Sequence, residues 1–205
     1  MLVAVAVVWS LGFAPVRAET VDLELVFAAD GSGSIDDEEL RLQRDGYAAA
    51  LSDPKVLGAI AGGLHGRIAV AYIEWGGPAS QHTIVDWTVI AGPADAAAFG
   101  RALRTAPRAA WGYNSISEAI AYSAGLIHGN DIDSDRKVID VSGDGPQIGG
   151  RPLDLVGGLL EVLATDPAAM LDFRHYARQS GHTLVSAEEG AEEGAVLRFV
   201  LRRES

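Results

Sequence analysis

The stretch "DGSGSIDDEE" spans Asp30–Glu39 and follows the apolar run "LELVFAA" (Leu23–Ala29). Val21–Ala29 reads as a strand of nearly continuous apolar character, as expected where both faces of a sheet are covered. In an extended or gently curved loop, residues i, i+2 and i+4 point to one side. Asp30, Ser32 and Ser34 are spaced that way, so one carboxylate and two hydroxyls converge while Gly31 and Gly33 let the backbone curl behind them. Hard oxygen donors with one charged group suit Mg²⁺ or Mn²⁺ that keeps some of its waters. The four acids Asp36–Glu39 read differently. They open a helix predicted from Asp36 to about Leu51, at the end where the macrodipole favours carboxylates, with Leu40, Tyr47, Ala48 and Leu51 on one face.

Outward from that stretch, strands and helices alternate. "SDPK" breaks the first helix, and a short helical turn follows over Val56–Ile60. "RIAVAYIEW" (Arg67–Trp75) and "HTIVDWTVI" (His82–Ile90) read as strands. Their short link cannot make a parallel crossover, so they should form an antiparallel hairpin. "ADAAAFGRALR" and "NSISEAIAYSAGLIH" read as helices, and "RKVIDV" as a strand running into "SGDG" (Ser142–Gly145). That second oxygen-rich turn would bring Asp144 to the same rim as Asp30, at the carboxyl ends of the strands where open α/β sheets bind ligands. Beyond it, "LDLVGGLLEVLAT" (Leu153–Thr165) fits a helical stripe or a kinked strand. "AAMLDFRHYARQ" predicts a helix, "HTLVSA" a short strand, and "EEGAEEGAVLRFVLRR" a C-terminal amphipathic helix. The alternation implies an α/β fold in three layers: a mostly parallel central sheet with one antiparallel edge strand and helices on both faces.

The 205 residues suit one domain, and the absence of cysteine removes disulfides, thiolate catalysis and zinc–thiolate sites. Residues 1–18, "MLVAVAVVWSLGFAPVRA", read as a signal peptide, with the domain over 19–205 and a periplasmic or secreted destination. That segment lacks the cationic start usual in such signals, and its apolar run is too short to span a bilayer. Its removal would leave 15 cationic side chains against 28 carboxylates, a net charge of −13. So acidic a surface repels nucleic acid and anionic lipid and favours cations or basic protein patches.

"DGSGS" matches the D-x-S-x-S signature of von Willebrand factor type A domains, and "SGDG" resembles their later aspartate motif. With "RDGYAAALSDPKVLGAI", "GRIAVAYIEW" and "VIDVSGDGP", the chain also resembles an uncharacterised bacterial group of exported proteins carrying that domain, over about Val21–Gly150. The resemblance implies a Rossmann-like sheet with a metal-ion-dependent adhesion site, where the metal takes a carboxylate from a protein partner. Carried over by position, Asp30, Ser32, Ser34 and Asp144 match the ligand set. Where the family places a threonine, this chain has Asn114 with Ser115 beside it, and either can offer an oxygen. The helix and strand expected over Arg151–Thr165 are shortened. Trp111 and Tyr113, flanking that loop, are candidates for partner contact.

Other readings are open on the same residues. A fold of this type that has lost metal binding would serve a structural or interaction role. A metal-assisted hydrolase would need Glu74 or Asp86 as general base, although Glu74 reads first as a charge on the rim. Ser52 and Lys55 fit S-x-x-K formally, but Pro54 lies between them. A phosphate-binding Rossmann site would not tolerate the acids at 30 and 36–39, and G-x-G-x-x-G is absent. Asp140 should meet a hydrogen-bond donor within its strand, and the five histidines show no ligand spacing.

Overall fold

In the computed structural model, residues 19–145, 148–150, 159–164, 183–189 and 197–202 are described. The elements are β1 (Glu19–Thr20), β2 (Glu24–Asp30), α1 (Asp37–Ser52), α2 (Pro54–Ala61), β3 (Ile68–Trp75), β4 (Gln81–Ile90), α3 (Pro93–Thr105), α4 (Ile116–His128), β5 (Ile132–Asp133), β6 (Lys137–Ser142), β7 (Leu159–Ala164), β8 (Thr183–Glu189) and β9 (Leu197–Arg202). Among the described residues, β1 and β5 form a small parallel pair and the other seven strands form one sheet in the order β4-β3-β2-β6-β7-β9-β8. β2 is an interior strand, parallel to β3 on one side and to β6 on the other.

The period-2 alternation of the central strands divides the core between two faces. Val26 and Ala28 of β2, with Ala71, Ile73 and Trp75 of β3 and Ile139 and Val141 of β6, meet α4 through Ile116, Ala119, Ile120, Ala124 and Ile127. Phe27, Ala29, Val70 and Tyr72 face the other way, onto Leu51 of α1, Ile60 of α2 and Ala96, Phe99 and Leu103 of α3. Helices therefore cover both faces, as the continuous apolar strands require. At the amino end of β2, buried Glu24 is paired with Lys137 and accepts from Asn130 Nδ2 at 2.7 Å, which leaves the opposite rim for the oxygen-rich loops.

The β3–β4 hairpin forms as expected, closed by Gly76 N donating to Ser80 O at 2.9 Å and Ser80 N to Gly77 O at 2.9 Å. The sheet has one more reversal than its sequence suggests. β4 is antiparallel at one edge, but β9 also runs antiparallel, between β7 and β8. One open reading is decided here and another changes. Within Leu153–Thr165, the strand alternative holds over Leu159–Ala164, which pairs in parallel with β6. The C-terminal "AVLRFVLRR" contains β9 and not an amphipathic helix: Leu197, Phe199 and Leu201 alternate with Arg198, Val200 and Arg202, and pairing on both sides outweighs a helical spacing that the same residues also satisfy. The predicted strand at "HTLVSA" is β8, extended through Glu189. The helix expected over residues 168–179 and the signal peptide over 1–18 lie outside the described residues. Among the described residues no helix is long and apolar enough to cross a membrane.

Candidate metal centre

Strand register decides which loops meet. Asp30, the last residue of β2, lies opposite Trp75 at the end of β3, and Ala29 lies opposite Ser142 at the end of β6. The loops after β2 and β6 thus leave the sheet side by side at its carboxyl rim. The first loop turns at once: Asp30 Oδ1 accepts from Ser32 N at 2.7 Å, and Gly31 N donates to Trp75 O at 2.8 Å.

The acids that follow are committed to the helix. Asp36 is the N-cap of α1, accepting from Glu38 N and Glu39 N at 2.8 and 2.9 Å, while Glu39 Oε2 accepts from Asp36 N at 2.9 Å. This reciprocal capping box satisfies amides that the helix start leaves without partners. Asp37 pairs with Arg108 at 3.1 Å. The run "IDDEE" is therefore a helix start, and the oxygen cluster is confined to "DGSGS".

The two motifs do meet. Ser32 Oγ lies 3.0 Å from Ser34 Oγ, Ser34 Oγ donates to Asp144 Oδ1 at 2.9 Å, and Asp144 N approaches Asp30 Oδ2 at 3.4 Å. Gly143 permits that approach, since a Cβ there would sit 3.2 Å from Asp30 Oδ2 and 3.0 Å from the Trp75 ring. Asp30 is fully buried, and desolvation raises its pKa. Hydrogen bonds from Ser32 and from the Asp144 amide work against that shift, and the Asp144 charge adds to it.

The donor set fits a small hard cation. Oxygens about 2.1 Å from an octahedral Mg²⁺ lie about 3 Å from their neighbours, which is the spacing found along Ser32, Ser34 and Asp144. A buried carboxylate held above its ordinary pKa also gains from a nearby positive charge. Among the described residues no three His, Asp or Glu side chains are grouped to hold a metal. An ion at this rim would have two carboxylates and neutral oxygens, with coordination positions left to water or a partner.

Asn114 and Ser115 separate in space. Asn114 is buried and lines a cavity of about 530 Å³ together with Ser34, Tyr113, Asp144 and Ile148. Its carbonyl accepts from Ile148 N at 2.7 Å, and its Nδ2 faces Gly145. A half-turn of the amide would present Oδ1 instead. Ser115 caps α4 by position, and its Oγ donates to Gly149 O at 3.3 Å, away from the cavity lining. Tyr113 is 75% exposed at the cavity edge, and Trp111 is 59% exposed with its ring 4.2 Å from the Arg108 guanidinium carbon. Ile148, 56% exposed, joins this apolar margin.

Glu74 is not a rim charge. It is fully buried, ion-paired with Arg44 of α1, and accepts from Ala109 N at 3.1 Å. Arg44 also reaches the carbonyls of Ala106 and Pro107, so the pair fixes the segment leading to Trp111 and Asn114. A cation inside the apolar stripe Leu40–Ala48 was its only trace in the sequence. Asp86 is exposed and accepts from the Trp87 amide at 2.8 Å. Asp140 is pushed up to about 6 by burial, which hydrogen bonding from Tyr47 partly offsets.

A family profile described as Protein of unknown function (DUF1194) matches residues 20–158. A search of curated proteins finds no match. Among solved structures, proximal thread matrix protein 1 from the mussel byssus is 17% identical, with 72% of this chain and 38% of that chain covered and a TM-score of 0.50. A von Willebrand factor type A structure from Catenulispora acidiphila is 11% identical over 90% of this chain and 58% of that one, at a TM-score of 0.42. The pilus adhesin SpaC from Lactobacillus rhamnosus GG is 16% identical over 62% of this chain and 16% of that one, at 0.46. This chain spans less than two thirds of the length of each. The likeness to the mussel protein bears on the fold alone, an α/β domain with a mixed central sheet and helices on both faces.

Proposed function

The chain belongs to the family described as Protein of unknown function (DUF1194), and on that footing we propose that it is an exported interaction module that holds Mg²⁺ or Mn²⁺ at its strand-end rim and grips an acidic residue of a partner protein. One observation carries this reading: the hydroxyl of Ser34, in contact with that of Ser32, meets the carboxylate of Asp144 from a loop 110 residues further on.

Asp30, Ser32, Ser34 and Asp144 would hold the ion directly or through water, with Asn114 on the cavity side. The ion would supply a positive centre able to accept an oxygen of the partner's carboxylate. The chain sets the charge balance for that contact. Two carboxylates neutralise a divalent ion, and the hydroxyls add ligands without adding charge that would repel a third carboxylate. Trp111, Tyr113 and Ile148 offer apolar area around the contact. Export rests on the apolar segment 1–18. A non-enzymatic role is supported by the commitment of Glu74 to Arg44, which removes the nearest candidate base.

A second reading has its own support. The Ser34–Asp144 hydrogen bond closes the cluster on itself without a cation, as a domain that has lost metal binding and interacts through Trp111, Tyr113 and Ile148 would do. Thermal unfolding with and without millimolar Mg²⁺ separates the two. Saturation to 100 times Kd stabilises by about 2.7 kcal/mol, so the wild-type transition should rise and that of Asp30→Ala should not. Equal shifts in both proteins would contradict the metal reading, and no shift in either would favour the second.

A further inference from the structure

Arg108 belongs to none of the motifs singled out in the sequence, yet its guanidinium underlies the loop after β2. Its Nη2 shares its two hydrogens among three carbonyls of that loop, Gly31 at 3.0 Å, Ser32 at 2.7 Å and Ile35 at 2.8 Å. Nη1 pairs with Asp37, which offsets the charge, and the Trp111 ring covers the outer face at 4.2 Å. The segment bearing Arg108 is anchored in turn by Arg44 and Glu74 on one side. On the other, Gly33 N donates to Gly112 O at 2.8 Å.

We infer that Arg108 is the positioning residue of the rim's cation site and biases it toward Mg²⁺ over Ca²⁺, by drawing the carbonyl oxygens of Gly31, Ser32 and Ile35 away from any bound ion. This inference rests on the metal reading of the rim. Ca²⁺ takes six to eight oxygens, backbone carbonyls often among them, in flexible geometry, whereas Mg²⁺ takes six at short range and keeps several as water. A loop with three of its carbonyls occupied by a guanidinium has fewer oxygens to offer beside its hydroxyls and carboxylate. That is a sparse set suited to the smaller, partly hydrated ion. A lysine cannot replace this arrangement, because its ammonium is a compact point charge without the planar fork that spans several acceptors.

The test is calorimetric titration of the full chain with Mg²⁺ and with Ca²⁺, in wild type, Arg108→Gln and Arg108→Lys, together with amide hydrogen exchange of residues 31–35 in metal-free protein. Loss of a residue that orients metal ligands costs roughly 10–100-fold in affinity. Arg108→Gln should show that loss for Mg²⁺, a smaller loss for Ca²⁺, and faster exchange at Gly33 and Ile35. Arg108→Lys, which keeps the charge and the stem, should fold even if the glutamine variant does not and should lie between the two. Wild-type Mg²⁺ binding with unchanged affinity and Mg²⁺:Ca²⁺ ratio in the folded variants would overturn this inference alone. Wild-type protein that binds neither ion would overturn the metal reading and this inference with it.

Discussion

The loops after β2 and β6 share one rim and are held in opposite ways. The first is fixed from every side: Asp30 and Ser32 are buried, Gly31 and Gly33 are tied to Trp75 and Gly112, Arg108 gathers three carbonyls, and Asp36 locks the exit into α1. The second is anchored at its root, where Ser142 Oγ accepts from Tyr47 at 3.0 Å and from Gln43 at 3.3 Å, and again at Ile148 and Gly149, which meet Asn114 and Ser115. Past Ser142, Asp144 is exposed and held by one hydroxyl and a long amide contact. The contrast divides the labour. The buried loop defines where a ligand would sit, and the exposed loop brings a charge that can adjust to it. Substitutions behind the first loop should therefore cost stability, and substitutions in the second should cost binding.

The largest effect should come from Arg44→Leu. It strands the buried Glu74 carboxylate and releases the segment 106–109, and breaking such a pair costs roughly 3–5 kcal/mol. Urea unfolding that moves by less than about 1 kcal/mol would mean the ion pair does not brace the fixed loop. Next in size is Asp140, below the adjustable loop. Its pKa is raised from an ordinary 3.8 to about 6, so the folded chain holds that proton more tightly than the unfolded one. The stability it contributes is complete below the unfolded value and is lost as pH rises through the folded one. Asp140→Asn should flatten the pH dependence between those values and, at neutral pH, exceed wild type by roughly 2–3 kcal/mol. Parallel stability curves for the two proteins would refute this.

A smaller cost is expected at Gly112, whose φ of +98° turns its carbonyl toward Gly33. Gly112→Ala should destabilise by about 1–3 kcal/mol, read by thermal unfolding, and an unchanged midpoint would show that the turn is not strained. The smallest stability effect belongs to the exposed loop. Asp144→Asn should stay within about 0.5 kcal/mol of wild type while losing the Mg²⁺-induced stabilisation. A large destabilisation, or a retained Mg²⁺ shift, would erase the difference between the two halves.

The same contrast explains what could be read in advance. Asp30, Ser32 and Ser34 were legible because a period-2 spacing lies within five residues, and "SGDG" because it ends a clear strand. The hairpin followed from a link too short for a crossover. The braces were not legible: Arg44 meets Glu74 across 30 positions and Arg108 meets Ser32 across 76, and nothing local names either partner. Nor could spacing tell that Asn114 faces the cavity while Ser115 turns to Gly149. At β9, Leu197 and Leu201 satisfy helical and strand periods alike, and only pairing with β7 and β8 decides between them.

The most direct test is anomalous diffraction from crystals grown with Mn²⁺. The account predicts a peak bounded by the Ser32 and Ser34 hydroxyls and the Asp144 carboxylate, at about 2.1 Å from its nearest protein oxygens. Saturating Mn²⁺ with no peak at that position, or with the ion bound elsewhere on the acidic surface, would contradict it.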